Sequence, residues 1–282
     1  MNSFEAKVCA ISGAGSGIGR SLAVELSRRG AHVALCDVDA DGLDETVSMC
    51  EGMATQVTSS RVDVADRVAV YQWADQVAQD HGQVNMIINN AGVALSSTIE
   101  NMSYEDFEWL MNINFWGVVY GTKAFLPHLQ AAGDGHIVNV SSVFGLVSIP
   151  SQSAYNAAKF AVRGFTDALR IELDIADAGV SATTVHPGGI KTKIVKNARL
   201  DEEAEQLSGG RDAAVRQFDR MAMTTPDKAA HVILTAVERD RRRVLIGPDA
   251  RVFDLLSRLP AGLYQQILVR GAQRRFRKGV RG

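Results

Sequence analysis

The sequence predicts a single-domain α/β protein, a doubly wound, seven-stranded parallel sheet with helices on both faces. Short runs rich in valine and isoleucine alternate along the chain with longer amphipathic segments, which is the pattern of consecutive βαβ units. The short runs are continuously apolar, as strands that are buried on both faces require. The 282 residues are 46% apolar, so the chain can bury one large core without disulfides.

The order of these segments gives the expected elements. Strands are expected at Val8–Ser12, His32–Cys36, Ser60–Asp63, Met86–Asn89, His136–Val140, Ser181–Val185 and Val244–Ile246. The main helices are expected at Ile18–Arg29, Ala65–His81, Tyr104–Leu129, Tyr155–Ala176 and Asp227–Glu238. Because crossovers between parallel strands are right-handed, the helices should cover both faces of the sheet.

Composition excludes several classes of protein. The formal net charge is −2, so nothing draws the chain as a whole to nucleic acid, and no nucleic-acid partner is expected. Cys9, Cys36 and Cys50 lack the spacing of metal ligands, and no metal site is expected. The chain shows no basic leader and no stretch of about 18 apolar residues, which together indicate a cytoplasmic protein.

Two regions interrupt the alternation. Residues 191–225 are charged and irregular, with an acidic run at Leu200–Leu207, and we interpret them as a mobile lid over a site at the strand ends. Residues 250–282 form a basic, partly amphipathic C-terminal tail, with eight lysine or arginine residues and one acidic residue. The domain proper is therefore assigned to residues 1–249.

The apolar part of the tail, Val252–Val269, predicts a helix that is broken near Pro260. Basic residues beside apolar helical positions are also found in segments that lie on a membrane surface. Peripheral membrane contact is thus one interpretation of the tail, and a subunit contact or a solvated appendage is the other.

A glycine-rich turn, Gly13-Ala-Gly-Ser16-Gly17-Ile18-Gly19, follows the first strand directly and leads into a helix. Glycine allows a tight turn and close approach of the backbone to a pyrophosphate, whose charge is stabilised by the helix N-terminus. The spacing G-x-x-x-G-x-G differs from the commoner G-x-G-x-x-G. Its position between a strand and a helix nevertheless predicts a dinucleotide site in a Rossmann fold.

Asp37 lies 18 residues after Gly19, at the end of the second strand. A carboxylate there can accept hydrogen bonds from the adenosine ribose and would repel a 2′-phosphate. Ser16, rather than a cation, precedes Gly17. The sequence therefore favours NAD, with NADP the less favoured cofactor. Arg20 and Arg28-Arg29 are cations that would favour NADP, although helical periodicity places them away from the ribose.

Tyr155 and Lys159 are four residues apart and share a face if the segment is helical. An ammonium beside a phenol favours the phenolate and lowers the tyrosine pKa. Such a tyrosine can exchange a proton with an alcohol or a ketone as a general acid–base. The same spacing also occurs in ordinary contacts on helix surfaces, so the pair alone does not establish a site.

Taken in order, these motifs resemble the short-chain dehydrogenase/reductase family over roughly residues 5–250. Ser12–Gly19 matches the family's glycine turn, with serine in place of the usual threonine. Further matches are Asp63-Val64 at the adenine, Asn89-Asn-Ala91-Gly92 beside the cofactor, Asn114, Ser142, and Pro187-Gly188 with Ile190 and Thr192 at the nicotinamide carboxamide.

The resemblance implies a role for each of four catalytic residues. Tyr155 would donate or accept the proton, and Lys159 would lower its pKa and bind the nicotinamide ribose. Ser142 would hydrogen-bond the substrate oxygen, and Asn114 would hold a water that links Lys159 to solvent. His186, which precedes Pro187, is interpreted as structural.

The expected function is NAD-dependent interconversion of a secondary alcohol and a ketone. Val143–Ile149 and Met221-Ala222-Met223 would line the substrate side with apolar groups and favour a small lipophilic substrate, although these residues could equally be core. The alternative function is a non-catalytic NAD-binding sensor or scaffold. A homo-oligomer, either a dimer or a homotetramer, is expected.

Overall fold

A computed structural model of the protein describes residues 1–53, 55–201 and 210–279. Seven parallel strands form one sheet in the order β3-β2-β1-β4-β6-β7-β9. Their bounds are β1 Val8–Ser12, β2 His32–Asp37, β3 Val57–Arg61, β4 Met86–Asn89, β6 Gly135–Val140, β7 Val180–Pro187 and β9 Arg243–Ile246. Two short segments, β5 (Leu95–Ser96) and β8 (Arg199–Leu200), pair separately.

The described helices cover both faces of the sheet. They are α1 Gly17–Arg28, α2 Ala40–Cys50, α3 Arg67–His81, α4 Tyr104–Met111, α5 Gly117–Ala132, α6 Ser153–Ala176, α7 Arg211–Met221, α8 Pro226–Glu238, α9 Pro248–Ser257 and α10 Ala261–Gly279. One core lies between the sheet and α1, α2 and α8. A second core lies between the opposite face and α3, α5 and α6. The doubly wound fold predicted from the sequence is confirmed.

The third strand and the helix before it differ from expectation. The strand spans Val57–Arg61 instead of Ser60–Asp63, so Asp63 lies in the loop beyond it. Helix α2 was not predicted, because its sequence contains Gly42 and it buries little besides Leu43 and Cys50. Its N-cap is supplied by Asp39, whose side chain accepts a hydrogen bond from the Gly42 N–H.

The helix expected over Tyr104–Leu129 is interrupted. Between α4 and α5 the chain makes one π-helical turn, Asn112–Trp116. Such turns insert one residue into a helix and often mark functional sites. The turn places Asn114 at the centre of the bulge with its side chain fully buried.

The two regions that interrupted the sequence pattern carry regular structure where they are described. The segment interpreted as a lid contains β8 and α7, and the acidic residues Glu202–Glu205 lie outside the described residues. In the tail, α9 ends and α10 begins on either side of Pro260, as the proline predicted. Helix α9 starts at Pro248, so the expected boundary at residue 249 falls inside its first turn.

Candidate active site

The candidate site residues gather at the carboxyl ends of the strands. β1 ends at Ser12, β4 at Asn89, β6 at Val140 and β7 at Pro187. In the sheet, β1 and β4 are neighbours, and the strand order reverses direction between them. Ligands of open α/β sheets bind in the crevice at such a switch point.

The glycine turn is closely packed against the loop after β4. Gly13 has a φ of +66°, and a Cβ there would lie 2.7 Å from the Cα of Ala91. A Cβ on Gly19 would overlap the Gly13 carbonyl. Asn90, which sequence reasoning did not select, donates its Nδ2 to the carbonyls of Ser12 and Gly13 at 3.0 and 3.1 Å. Asn90 therefore holds the turn in its conformation.

The N-terminus of α1 has the features of an anion site. Ser16, its N-cap, is exposed and makes no side-chain hydrogen bond to the helix, which leaves the first N–H groups available. Ile18 packs against the core below. A Cβ on Gly17 would lie 3.1 Å from the Thr192 methyl, so Thr192 borders the same space. These residues fit the pyrophosphate of a dinucleotide.

Asp37 is linked to the glycine turn by a hydrogen bond. Its Oδ2 accepts the Gly15 N–H at 2.8 Å and its Oδ1 accepts the Asp39 N–H at 3.0 Å. The Arg20 guanidinium donates to the carbonyls of Gly15 and Gly42 and pairs with Glu45. It therefore lies beside the glycine turn, at the residue whose N–H Asp37 accepts.

Two further arginines bear on the choice of cofactor. Arg29 pairs with Glu25 and Glu238, so it lies away from Asp37. No sequence motif marks Arg61. It lies opposite Asp37 in the sheet and donates its Nε to the Val38 carbonyl at 3.2 Å. Arg61 is thus a second cation, besides Arg20, near the strand end that carries Asp37.

The expected adenine and strand-end residues lie in different environments. Asp63 is exposed and its Oδ1 accepts the Ala65 N–H at 2.9 Å, while Val64 packs on Gly117. Asn89 is buried and binds Thr122 and Asn139, so its side chain belongs to the core. The Asn89 side chain thus supports the strand end, and its contact with a cofactor stays a prediction.

Tyr155 and Lys159 share a face of α6, as their spacing predicts. The Lys159 ammonium lies 5.6 Å from the centroid of the Tyr155 ring. Lys159 is 3% exposed, and its Nζ donates to the Val140 carbonyl at 2.9 Å. Among the described residues no carboxylate pairs with this ammonium. It therefore keeps N–H groups free for a ligand such as a ribose hydroxyl.

The pKa of Tyr155 differs from the sequence-based expectation. Burial raises the pKa of its phenol to about 12, and a hydrogen bond with Ser142 acts in the opposite direction. Burial also lowers the pKa of Lys159 to about 8. Desolvation thus shifts both pKa values toward the neutral forms. Near pH 7 the Lys159 amine, with a pKa of about 8, still stays mostly protonated, and the Tyr155 phenol keeps its proton.

Ser142 and Asn114 are the other two candidate catalytic residues. The Oγ of Ser142 accepts the Phe144 N–H at 3.1 Å. The Asn114 amide accepts the Val93 N–H at 2.8 Å and donates to the Val93 carbonyl at 2.9 Å. A Cβ on Gly92 would lie 3.2 Å from the Asn114 Oδ1 and 3.6 Å from the Lys159 Nζ. Asn114 thus borders Lys159, but its amide already holds the Val93 backbone.

The segment after β7 runs over the glycine turn. The Gly188 N–H donates to the Ile246 carbonyl at 2.9 Å, and Ile190 forms an isolated bridge with Thr224. Before Pro187, His186 is buried and its Nδ1 lies 2.8 Å from the Ser142 carbonyl. Burial lowers the pKa of His186 to about 4, so the ring is neutral near pH 7 and its role is structural.

The residues expected on the substrate side divide into two groups. Val143, Leu146 and Val147 are buried in the core. Phe144 is partly exposed and meets Tyr155 edge to face, with ring centroids 6.2 Å apart. Met223 is exposed, whereas the Met221 side chain lies outside the described residues. Phe144 therefore joins the segment Val143–Ile149 to Tyr155.

Two further findings concern metal ions and membrane-spanning helices. No group of histidine, cysteine and acidic side chains able to hold a metal ion occurs in the described ranges. Within the same ranges, no helix is long and apolar enough to cross a membrane.

Comparison with known proteins agrees with this arrangement. The sequence model of the short chain dehydrogenase family matches residues 7–203. SadH of Mycobacterium tuberculosis, a putative oxidoreductase, is 48% identical over 277 residues, which cover 98% of this chain and 99% of the relative. The 3-oxoacyl-[acyl-carrier-protein] reductase FabG of Thermotoga maritima is 33% identical over 231 residues, covering 82% and 90%.

A solved structure gives the same result. A short-chain dehydrogenase/reductase of Burkholderia phymatum in complex with NAD superimposes with a TM-score of 0.83 at 31% identity, and covers 91% of this chain and 94% of that chain. The chain belongs to the short-chain dehydrogenase/reductase family, whose members are oxidoreductases that use nicotinamide cofactors.

The buried ammonium predicts a pH-dependent effect of replacing Lys159. Because the pKa of Lys159 is about 8 in the folded protein and about 10.5 in the unfolded chain, unfolding takes up a proton between these values. The stability of the parent should therefore rise with pH across that range. Lys159→Met should melt at a higher temperature than the parent at pH 7, and this difference should shrink above about pH 8.

Thermal melting of the cofactor-free proteins across this pH range measures the effect. Lys123→Met, at an exposed position of α5, is the control for losing a lysine. A Lys159→Met protein that is less stable than the parent at pH 7 would show that the ammonium is well stabilised in the folded state.

Proposed function

We propose that this protein is an NAD-dependent oxidoreductase that interconverts a secondary alcohol and a ketone on a small lipophilic substrate. The observation that carries the proposal is the buried Lys159 ammonium beside Tyr155, with Ser142 hydrogen-bonded to the phenol. A protein that only senses or scaffolds has no physical need for this combination, since burying an unpaired ammonium lowers stability.

The proposed mechanism assigns each step to a named group. When bound, the nicotinamide would accept or supply a hydride at the carbinol carbon. Tyr155 would take the hydroxyl proton of the alcohol, or return it to the ketone oxygen, in the same step. Ser142 would hold that oxygen and stabilise the charge that develops on it. Lys159 would bind the nicotinamide ribose and stabilise the phenolate.

The lipophilic substrate is supported by the groups around Tyr155. Phe144 stands edge to face with its ring. Val93, Leu95 and Phe107 belong to an apolar cluster that also includes Tyr155. FabG, by its name, reduces a ketone on an acyl chain, which is a lipophilic carbonyl of the proposed kind. A panel of hydrophobic secondary alcohols with NAD, followed by the absorbance of the reduced cofactor, tests the proposal.

Tyr155→Phe should remove turnover and leave cofactor binding intact. The ring and its packing survive, but the transferable proton is lost, so kcat should fall by about a hundredfold or more. Steady-state kinetics with an alcohol found in the panel, together with calorimetric titration of NAD, separate the two effects. Tyr104→Phe is the matched control, because Tyr104 is 85% exposed. Activity of Tyr155→Phe within a few-fold of the parent would contradict the assignment.

Cofactor choice should depend on Asp37. Two like charges about 4 Å apart repel by about 1 kcal/mol in water and more in a partly buried site. Asp37→Ala should therefore lower the ratio of kcat/KM for NAD to that for NADP by about fivefold or more. Arg61→Ala is the companion variant and should raise this ratio. A parent that already prefers NADP, and loses that preference in Arg61→Ala, would assign control of the pocket to Arg61.

A homo-oligomer, with a homotetramer the specific form proposed, is supported by the outer face of α6. Phe160, Ile171 and Ile175 are exposed and lie eleven and four residues apart along one helical face. Exposed apolar rows of this kind are commonly buried between subunits. Ile171→Glu should therefore lower the mass measured by light scattering. The same mass in parent and variant would exclude this face from the interface.

Peripheral membrane contact remains a proposal for α10. Leu263, Ile267 and Val269 are exposed on it, and Arg270, Arg274 and Arg275 follow them in the sequence. Co-sedimentation with phosphatidylserine vesicles, compared between the full chain and a chain ending at Pro260, tests the contact. Equal co-sedimentation of both proteins would contradict a role for α10.

A further inference from the structure

Helix α9 reaches the candidate site from the C-terminal end of the chain. The Gly189 N–H donates to the Oδ2 of Asp249 at 2.6 Å. A Cβ on Gly188 would overlap the Asp249 carboxylate, so this carboxylate lies directly against the backbone turn that follows Pro187. The short charge-assisted hydrogen bond is of the stronger kind.

The chain around Asp249 is built to place this carboxylate. Gly247, between β9 and α9, has a φ of +98°, which a residue with a side chain rarely adopts. Pro248 then begins α9, and Asp249 lies in the first turn. A Cβ on Gly247 would also overlap Asp249. Two glycines thus leave the space that the carboxylate fills.

A second contact of α9 leads to the reactive tyrosine. Phe253, one turn beyond Asp249, meets Phe144 edge to face at 6.1 Å between ring centroids, and Phe144 meets Tyr155 in the same way at 6.2 Å. The helix is held in place by Asp254, which pairs with Arg243 and Arg258 at 2.8 Å each. Helix α9 therefore contacts both the segment after β7 and the neighbour of Tyr155.

We infer that Asp249 is a positioning residue for the nicotinamide half of the cofactor. It fixes the Gly188-Gly189 turn and so sets where the carboxamide-binding segment stands relative to Tyr155. The inference rests on the cofactor orientation in the proposed function. It predicts that Asp249 affects binding of the nicotinamide end and leaves binding of the adenosine end unchanged.

Calorimetric titration with NAD and with ADP-ribose, which lacks the nicotinamide, tests the inference. NADP replaces NAD should the parent prefer it. Asp249→Ala should weaken NAD binding by about tenfold, the factor that corresponds to the loss of about 1.4 kcal/mol. Its affinity for ADP-ribose should stay within about twofold of the parent's. Asp249→Asn keeps an oxygen that accepts the Gly189 N–H and should retain most of the NAD affinity.

Two further variants keep the test decisive. Asp249→Ser, too short to reach Gly189, replaces the alanine variant should that protein not fold. Asp254→Asn disturbs the same helix without touching the turn, and its NAD affinity should stay within about twofold of the parent's. Three results would overturn the inference. The first is an equal loss of affinity for NAD and for ADP-ribose in Asp249→Ala. The others are unchanged NAD affinity in both Asp249→Ala and Asp249→Ser, or a loss of NAD affinity in Asp254→Asn as large as that in Asp249→Ala. A parent that binds neither NAD nor NADP would instead refute the proposed function.

Discussion

A buried ammonium without a counter-charge is the constraint on which the candidate site depends. Lys159 is 3% exposed, and its described hydrogen-bond acceptor is a single carbonyl, that of Val140. Such a group is costly to bury, and the shift of its pKa to about 8 expresses that cost. Val140 ends β6, which is paired on both sides by β4 and β7. The Lys159 ammonium is therefore held by a rigid part of the fold.

The same constraint links the two halves of the proposed cofactor site. Asp37, Gly13 and the N-terminus of α1 form the adenosine and pyrophosphate side, where hydrogen bonds already hold the turn in its conformation. Lys159, Tyr155 and Ser142 form the other side, where the Lys159 ammonium has no carboxylate partner among the described residues. In the proposed site the adenosine side is thus preorganised, and a bound cofactor would add hydrogen-bond partners on the nicotinamide side.

The sequence predicted the parts of the structure that depend on local patterns. Strand β1, the glycine turn and the shared face of Tyr155 and Lys159 follow from apolar runs and spacing, and all appear in the fold. Helix α2 was not predicted because it buries few apolar residues. The bounds of β3 were predicted wrongly because Val57–Arg61 is mostly polar and half-buried.

Other features could not be read from the chain because they depend on tertiary structure. The direction of the Tyr155 pKa shift depends on burial, which the spacing of residues along the chain does not reveal. Asn90 lies in the matched motif Asn89–Gly92, but its hydrogen bonds to the glycine turn join residues that are distant in sequence. Arg61 lies beside Asp37 through strand pairing, and no local signal marks it. The position of Asp249 just after Gly247-Pro248 is a weak sequence signal for a functional residue. Its hydrogen bond with the Gly189 N–H joins residues that are 60 positions apart, so the sequence does not reveal it.

In the proposed function, bound NAD lowers the pKa of Tyr155 against the effect of burial, and an ultraviolet pH titration of the phenolate tests this most directly. The titration is run with and without NAD, and the difference between the parent and Tyr155→Phe isolates this one tyrosine. Without cofactor, its pKa should be close to the value of about 12 that burial imposes. With NAD bound, the positive nicotinamide ring and the retained ammonium should lower it by several pH units. The same Tyr155 pKa in both titrations would contradict the account.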